Sequence, residues 1–310
     1  MPSEVTPSTN NHDFILTALR QNLRLDSRPL DTYRPIDLTF SSDPDTYGQT
    51  DVRIGKTRVL CNISCEVGAP YPDRKFDGVF TISCELGPMG SPAWEVGRQD
   101  QTEIILSRIL EKTVRRSGAL DTESLCIVAG QKCFHLRADI HILDHDGNVL
   151  DAACFALMAA LLHFRRPDVS IEGEEVTVYS VREREPVKLT MTHHPFCITT
   201  SFYPSRQGSD DDLISVLDTT LQEEQCRTGS LTISLNRHGE VCNIAKYGGV
   251  GIEGLSVLTC VNASLEKAKM FDRLLKERLA EDEKARQAKI GAMGLELSAE
   301  NERVMERPVG

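Results

Sequence analysis

The sequence predicts an α+β fold in two parts, and three observations carry this. Runs of β-forming residues followed by a helix occur twice, once before and once after His193, which gives two β/α layers to be packed on each other. Within 121–166, Phe134, Leu136, Ala138, Ile140 and Ile142 alternate with His135, Arg137, Asp139 and His141, the period of a strand with one buried face. A chain of 310 residues that is 40% hydrophobic and 26% charged has the composition and length to bury two cores of ordinary size.

Taken in order, residues 1–12 are polar and rich in Ser, Thr and Pro, a disordered composition. Asp13 is the expected N-cap of a helix running to about Arg24, with Ile15, Leu19 and Leu23 on one face, and Pro29 closes off this region. Arg34 to Phe40, Thr50 to Ile54, Thr57 to Glu66 and Val79 to Leu86 read as strands, with Gly55-Lys56 as a two-residue turn. The loop from Ala69 to Gly78 holds too many breakers for regular structure. A helix is expected from Glu95 or Gln99 to Ser117. Then comes the unit just described: strand, turn Asp144–Asn148, and an apolar, Ala-rich helix from Leu150 to Phe164, too short to span a membrane. Short strands follow near Val169–Ile171, Val176–Val181 and Lys188–Thr192. The second half repeats the pattern, with strands at Phe196–Phe202, Leu213–Leu217, Gly229–Leu235 and Val241–Lys246. Its helix starts near Glu253, with Leu255, Leu258, Val261, Leu265 and Ala268 as the apolar face. Beyond Leu279 the sequence is rich in Glu, Lys and Ala with little apolar face, which reads as a frayed extension or tail.

Charge and cysteine usage bound the function. The net charge is −11, whereas proteins that grip nucleic acid over a wide surface are basic; any such contact is local or shared with partners. The N-terminus has neither a basic nor an apolar region of the kind a signal peptide needs. Most of the ten cysteines stand in apolar runs, where the thiol acts as a small hydrophobe, and the absence of C-x-x-C gives a zinc site little support. The reading is a reduced, intracellular, soluble protein without a metal or cofactor.

Several groups carry candidate chemistry. A helix that follows a Gly turn presents free N–H groups, so the 144–151 turn is a candidate anion site. Arg98, before a helix, is placed either for phosphate or for a capping role. Arg108, Lys112, Arg115 and Arg116 form a basic stripe, which is either a solvated face bridged to Glu111 or a phosphate-contacting surface. Asp210, Asp211 and Asp212 read as a solvated loop. Asp218, Glu223 and Glu224 follow a strand, where acids are either surface charges or part of a site. Asp139, Asp144 and Asp146 form a looser cluster. His193-His194 reads as a surface pair, and Cys61 with Cys65 as packing.

The order of these motifs resembles a known family. Leu25 to Arg34, with Asp26, Ser27 and Arg28, is similar to the R-x-D-G-R-x-x-x-x-x-R opening of RNase PH-type domains. Gly55 to Leu60 is similar to their G-x-T-x-V strand pair. Pro92 to Arg98 is similar to their stretch leading to the phosphate-side helix, and Asp121 to Gly130, His145 to Ala153 and His163 to Val169 are similar to RNase PH-like ring subunits of the eukaryotic RNA exosome. The likeness runs from about residue 14 to about 275. It implies an RNase PH-type fold of two stacked β/α layers, of the ribosomal protein S5 domain 2-like kind. It divides the chain into a tail and helix (1–30), a first half (31–192), a C-terminal half (193–278) and a flexible tail (279–310). It also implies a six-membered ring with other RNase PH-like subunits, among them a neighbour of the ribosomal RNA-processing protein forty-one type. S1/KH subunits would cap the ring, and RNA would thread its channel to an associated nuclease for 3′-to-5′ processing and decay, including rRNA maturation, in nucleus, nucleolus and cytoplasm.

Active members of that family hold phosphate with an Arg before the helix, a Ser/Thr-Arg pair in the Gly turn and the next helix's N-terminus, with two acids from the second half. Arg98 fits the first position. Val149 and Leu150 stand where a hydroxyl and a guanidinium belong, and Asp151 adds a negative charge at the helix start that repels phosphate. Glu224 stands for the first acid and Ser230, uncharged, for the second. The resemblance therefore implies a non-catalytic subunit, with Arg98, Arg108, Arg115 and Arg116 as RNA contacts and Arg74 and Lys75 behind them. The alternative is an active phosphate-dependent 3′-to-5′ exoribonuclease.

Overall fold

The computed structural model describes residues 7–299 apart from 42, 44–45, 96, 98–99, 173–174, 180–182 and 207–208. The first half is built on a sheet of β1 (Ile36–Phe40), β2 (Gln49–Ile54), β3 (Thr57–Gly68), β4 (Val79–Leu86), β5 (Cys126–Val128) and β6 (Lys132–Asp144). The order is β1-β2-β3-β6-β4, with β5 on β6. Only the β4–β6 pair is parallel; the helix that follows β4 supplies the crossover such a pair needs. The alternation read in the sequence holds: Phe134, Leu136, Ala138, Ile140 and Ile142 are all buried.

Helix α3 (Val149–His163) is the centre of the molecule. It lies against β2 and β3 on one side and against β11 (Phe196–Arg206) of the second sheet on another. Its sides are apolar all round, as a helix enclosed by other elements requires. Ala152, Ala153, Ala156, Ala159 and Ala160 are fully buried, and their small side chains let both sheets come close. Phe155, Leu157, Met158 and Leu161 fill the space between, each contributing about 1.5–3 kcal/mol by burial. The second sheet has the order β12-β11-β13-β14, with β12 (Ser209–Leu217), β13 (Gly229–Leu235) and β14 (Val241–Ala245). One hydrophobic cluster joins α3, both sheets and helix α5 (Gly254–Ala299), so the two halves share a core. Three shorter strands, β7 (Arg165–Arg166), β8 (Val169–Glu172) and β9 (Glu175–Val178), precede β10 (Val187–Lys188).

The structure departs from the sequence reading at identifiable places. Helix α1 (Thr9–Arg20) starts four residues before Asp13, because Ser8 caps it by accepting the Asn11 N–H at 3.3 Å; Leu23 lies past its end and is exposed. Helix α2 (Gln101–Leu110) continues into one π-helical turn, Glu111–Arg115. Asp210 to Asp212 belong to β12 and not to a loop. A six-residue helix, α4 (Leu221–Cys226), stands where only strand-end acids were read; Thr220 and Glu223 cap it reciprocally. Leu255 and Leu258 are exposed, so the buried face of α5 begins later, with Cys260, Ala268, Phe271 and Leu275.

Over the stretch read as a flexible tail, 279–310, helix α5 runs on through Ala299, the last described residue. Arg286 explains the docking of this stretch. Its guanidinium is nearly buried and donates to the carbonyls of Ser41, Asp43 and Thr46 at 2.8–3.1 Å. Glu283 receives Arg165 at 3.0 Å and Lys188 at 3.1 Å. Asp282 lies 3.3 Å from His163 Nε2. The polar residues that looked like a solvated tail face polar partners of the first half.

Candidate functional site

The turn after β6 is held from behind by Arg34, and Arg24 and Arg28 hold the buried acids next to it. Gly147 and Asn148 both have left-handed φ, 84° and 54°. A side chain on Gly147 would collide with the Thr219 carbonyl oxygen, so only glycine lets the turn press against residues 219–221. Arg34 donates to the Asp146 carbonyl at 2.7 Å and the Gly147 carbonyl at 3.2 Å. Thr57, from the G-x-T stretch, donates to the same Gly147 carbonyl at 2.7 Å. The other edge of Arg34 holds Asp218, with Nε and Nη2 at 3.0 and 2.9 Å from its two oxygens. Asp218 also receives Arg28 and the Asn148 side-chain amide, each at 2.9 Å. Burial opposes its ionisation, but Arg34 outweighs burial and keeps its carboxyl below the usual range. Arg24 meets the buried Glu223 with two bonds, at 2.6 and 3.1 Å. Ser27, where the family pattern has Gly, takes a left-handed φ of 61°.

This arrangement sorts the acids. Asp218 and Glu223 are spent on buried ion pairs that join the N-terminal segment to the second half. Asp139 pairs with Arg137 at 2.8 Å, and Asp146 with Arg34 at 3.3 Å. Glu224 meets the backbone at the N-terminus of α3, where its Oε1 accepts the Asn148 N–H at 3.1 Å and Arg227 Nη1 at 3.3 Å. The protein's own carboxylate thus occupies a donor that a bound anion would use.

Asp151 behaves differently from the sequence reading. Its carboxylate does not face the turn to repel an anion. It is fully buried and accepts Tyr33 Oη at 2.6 Å, Thr199 N–H at 3.0 Å and Thr199 Oγ1 at 2.8 Å. Burial raises its pKa to about 6, with the hydrogen bonds from Tyr33 and Thr199 opposing that rise. It ties β11 to α3 and to the segment before β1. The strand that turns it inward lies some fifty residues on, beyond reach of any local pattern.

A cleft of about 400 Å³ opens beside this N-terminus. Leu86, Trp94, Ile105, Ile109, Val149 and Leu150 give it an apolar wall, and Glu224, Arg227, Ser230 and Thr232 a polar one. Trp94 stacks on His145, with ring centroids 5.2 Å apart. The structure therefore brings Val149, Leu150, Glu224 and Ser230 together and leaves Asp151 out. Arg227 was missed by sequence reasoning, because α4, whose C-terminus places it, was not read from the sequence. Among the described residues no group of three His, Cys, Asp or Glu side chains could hold a metal ion, and no helix is long and apolar enough to cross a membrane.

The basic candidates lie elsewhere. Arg108 and Arg115 are exposed and both reach Glu111, at 3.1 and 3.0 Å, the solvated pairing that was one of the two readings. Lys112 and Arg116 are exposed. Arg74 and Lys75 are exposed on the loop after β3, beside Tyr71 and Phe76, which are also open to solvent. Arg98 lies outside the described residues. His194 Nδ1 sits 3.0 Å from Asp272 on α5, and His193 lies against Cys242 at 3.6 Å, so the two rings serve packing contacts and not one site.

Comparison with known proteins matches the 3′ exoribonuclease family twice, domain 1 over residues 32–167 and domain 2 over residues 195–267. Exosome complex component rrp45 of Schizosaccharomyces pombe is 45% identical over 303 residues, 98% of this chain and 100% of that protein. Exosome complex component RRP45 of Saccharomyces cerevisiae is 42% identical over 310 residues, 98% of this chain and 99% of that one. Among solved structures, a chain of the Archaeoglobus fulgidus exosome with RNA bound to the active site aligns at a TM-score of 0.73 and 28% identity, covering 87% of this chain and 97% of that one.

Proposed function

The chain belongs to the 3′ exoribonuclease family, with both RNase PH domains present, and on that footing we propose that it is a non-catalytic structural subunit of the exosome core ring. The names of its curated relatives and the shared fold of the archaeal exosome chain support the ring assignment. One observation carries the non-catalytic part: the Glu224 carboxylate accepts the Asn148 N–H at 3.1 Å, beside an apolar Val149 and Leu150 and an uncharged Ser230. A phosphate approaching that N–H meets a negative charge and finds neither hydroxyl nor guanidinium at 149 and 150. Arg227 is the nearby cation, and Glu224 engages it.

Within the ring the subunit supplies inter-subunit surface and part of an RNA path. Its ring partners are other RNase PH-like subunits, the forty-one type among them, with S1/KH caps and an associated nuclease completing the assembly in nucleus, nucleolus and cytoplasm. RNA contact is local, since the chain carries a net charge of −11. Arg98, Arg108, Arg115 and Arg116, with Arg74 and Lys75 second, touch phosphates without reading bases. Reconstitution tests this directly. The purified chain, mixed with the RNase PH-like and cap subunits, enters one particle on size exclusion, and that particle protects single-stranded RNA. A chain that stays monomeric in that mixture would overturn the ring assignment.

A further inference from the structure

Strands β8 and β9 pair only with each other among the described residues. Val169 lies opposite Val178 and Ile171 opposite Val176. Side chains alternate across a strand, so these four aliphatic residues share one face, and Ser170 and Thr177 share the other.

The second face is satisfied within the chain. Ser170 Oγ is 2.9 Å from Tyr179 Oη. Arg184 lies over the Tyr179 ring at 3.8 Å and donates to Asp168 at 3.0 Å. The aliphatic face is not satisfied: Val169 reaches the main core, but Ile171 and Val178 remain 50% and 46% exposed. A two-stranded hairpin is marginal alone in water. Aliphatic residues concentrated on its open face stabilise it only when something covers them.

We propose that this face docks a protein partner whose own apolar strip is flanked by lysine or arginine. The charge of the segment selects that chemistry. Residues 168–185 hold six acids (Asp168, Glu172, Glu174, Glu175, Glu183 and Glu185) against two arginines, Arg182 and Arg184. The segment therefore carries four more negative than positive charges, which repels an RNA backbone and favours a cationic protein rim. A second copy of this chain, itself at −11, is a poor electrostatic match.

The proposal rests on the ring assignment, because the partner is sought among co-assembling subunits. A photo-crosslinking amino acid is placed at 171, at 178 and, as a control on the opposite face, at 177, in the assembled ring with caps and RNA. Cross-links from 171 and 178 to a protein subunit, absent from 177, are expected. The double variant Ile171→Asp/Val178→Asp, whose sites are exposed and whose folding is checked by circular dichroism, should bind that subunit about tenfold more weakly or worse. It should keep the rest of the assembly. Cross-linking to RNA, to a second copy of this chain, or to nothing overturns the docking while leaving the ring assignment standing. If the unsubstituted chain fails to assemble at all, the ring assignment falls and the docking with it.

Discussion

Replacing Arg34 with methionine removes the guanidinium that joins the two halves while keeping most of its apolar stem. The magnitude follows from what is orphaned. Asp218 has a fully buried side chain and loses two charge-assisted bonds, at 3.0 and 2.9 Å; the Asp146 carbonyl loses its donor at 2.7 Å. Taking one partner from a buried ion pair costs about 3–5 kcal/mol. Arg28, Asn148 and the Arg34 backbone N–H still hold Asp218, and Thr57 still serves Gly147, so the cost falls at the lower end. Roughly 3 kcal/mol corresponds to a fall of about 5 °C in Tm for a chain of 310 residues. Asp218→Asn alone also destabilises. In the double variant the orphaned charge is gone, so its cost is smaller than the sum of the two singles by at least about 1 kcal/mol. Urea midpoints at constant m-value measure all three. The acid limb gives a second reading. Asp218, with its folded pKa depressed, stabilises above the ordinary carboxylate range and loses that contribution as pH falls through the folded value. That limb is shallower in the Arg34→Met variant. A single variant within about 1 kcal/mol of the parent, or a strictly additive pair, refutes the structural role given to these arginines.

Three further outcomes are expected. His163 accepts the Gly48 N–H at 3.0 Å, and burial, with Arg286 next, lowers its pKa to about 4. Because the folded value lies below the unfolded one, stability is lost as pH falls from about 6.5 to about 4, by roughly 3 kcal/mol; the His163→Gln variant loses less over that window by thermal melts. Asp151 has the opposite sign. With its pKa raised to about 6, it costs stability as pH climbs from about 4 through 6, so Asp151→Asn gains on the parent by up to roughly 3 kcal/mol near pH 8. Asp151→Ala instead strands Tyr33 and Thr199 and melts lower at every pH. For RNA, neutralising Arg98, Arg108, Arg115 and Arg116 in the assembled ring lowers the slope of log affinity against log salt by about 3, at roughly 0.7 per phosphate contact; an unchanged slope removes them from the RNA path.

The strand–turn–helix unit over 121–166 was legible because its signals are local: a two-residue period, a Gly turn and an Ala-rich apolar run. What escaped depends on contacts between distant residues. Arg28 and Arg34 were visible in a motif and Arg24 stood just before it, but their partners Asp218 and Glu223 lie more than 180 residues away. Asp151 was read as a charge at a helix start, and only β11 shows it turned into the core. Helix α4 spans six residues, too few to display a helical period. The docked part of α5 has little apolar face to notice, since it is held by Arg286, Glu283 and Asp282 and not by greasy packing. Val149 and Leu150 were read as a turn lacking the phosphate-binding side chains; that they line a cleft, and that Glu224 takes the Asn148 N–H beside them, required the geometry.

The most direct test of a ring subunit without its own chemistry is a phosphorolysis assay. The purified chain, alone and in the assembled ring without the associated nuclease, is incubated with single-stranded RNA and inorganic phosphate, and nucleoside diphosphates are measured. The Glu224–Asn148 contact at 3.1 Å and the absence of a hydroxyl and a guanidinium at Val149 and Leu150 predict no release from the chain alone, and none from the ring that depends on this subunit. Release of nucleoside diphosphates that Arg98→Ala abolishes would contradict the account.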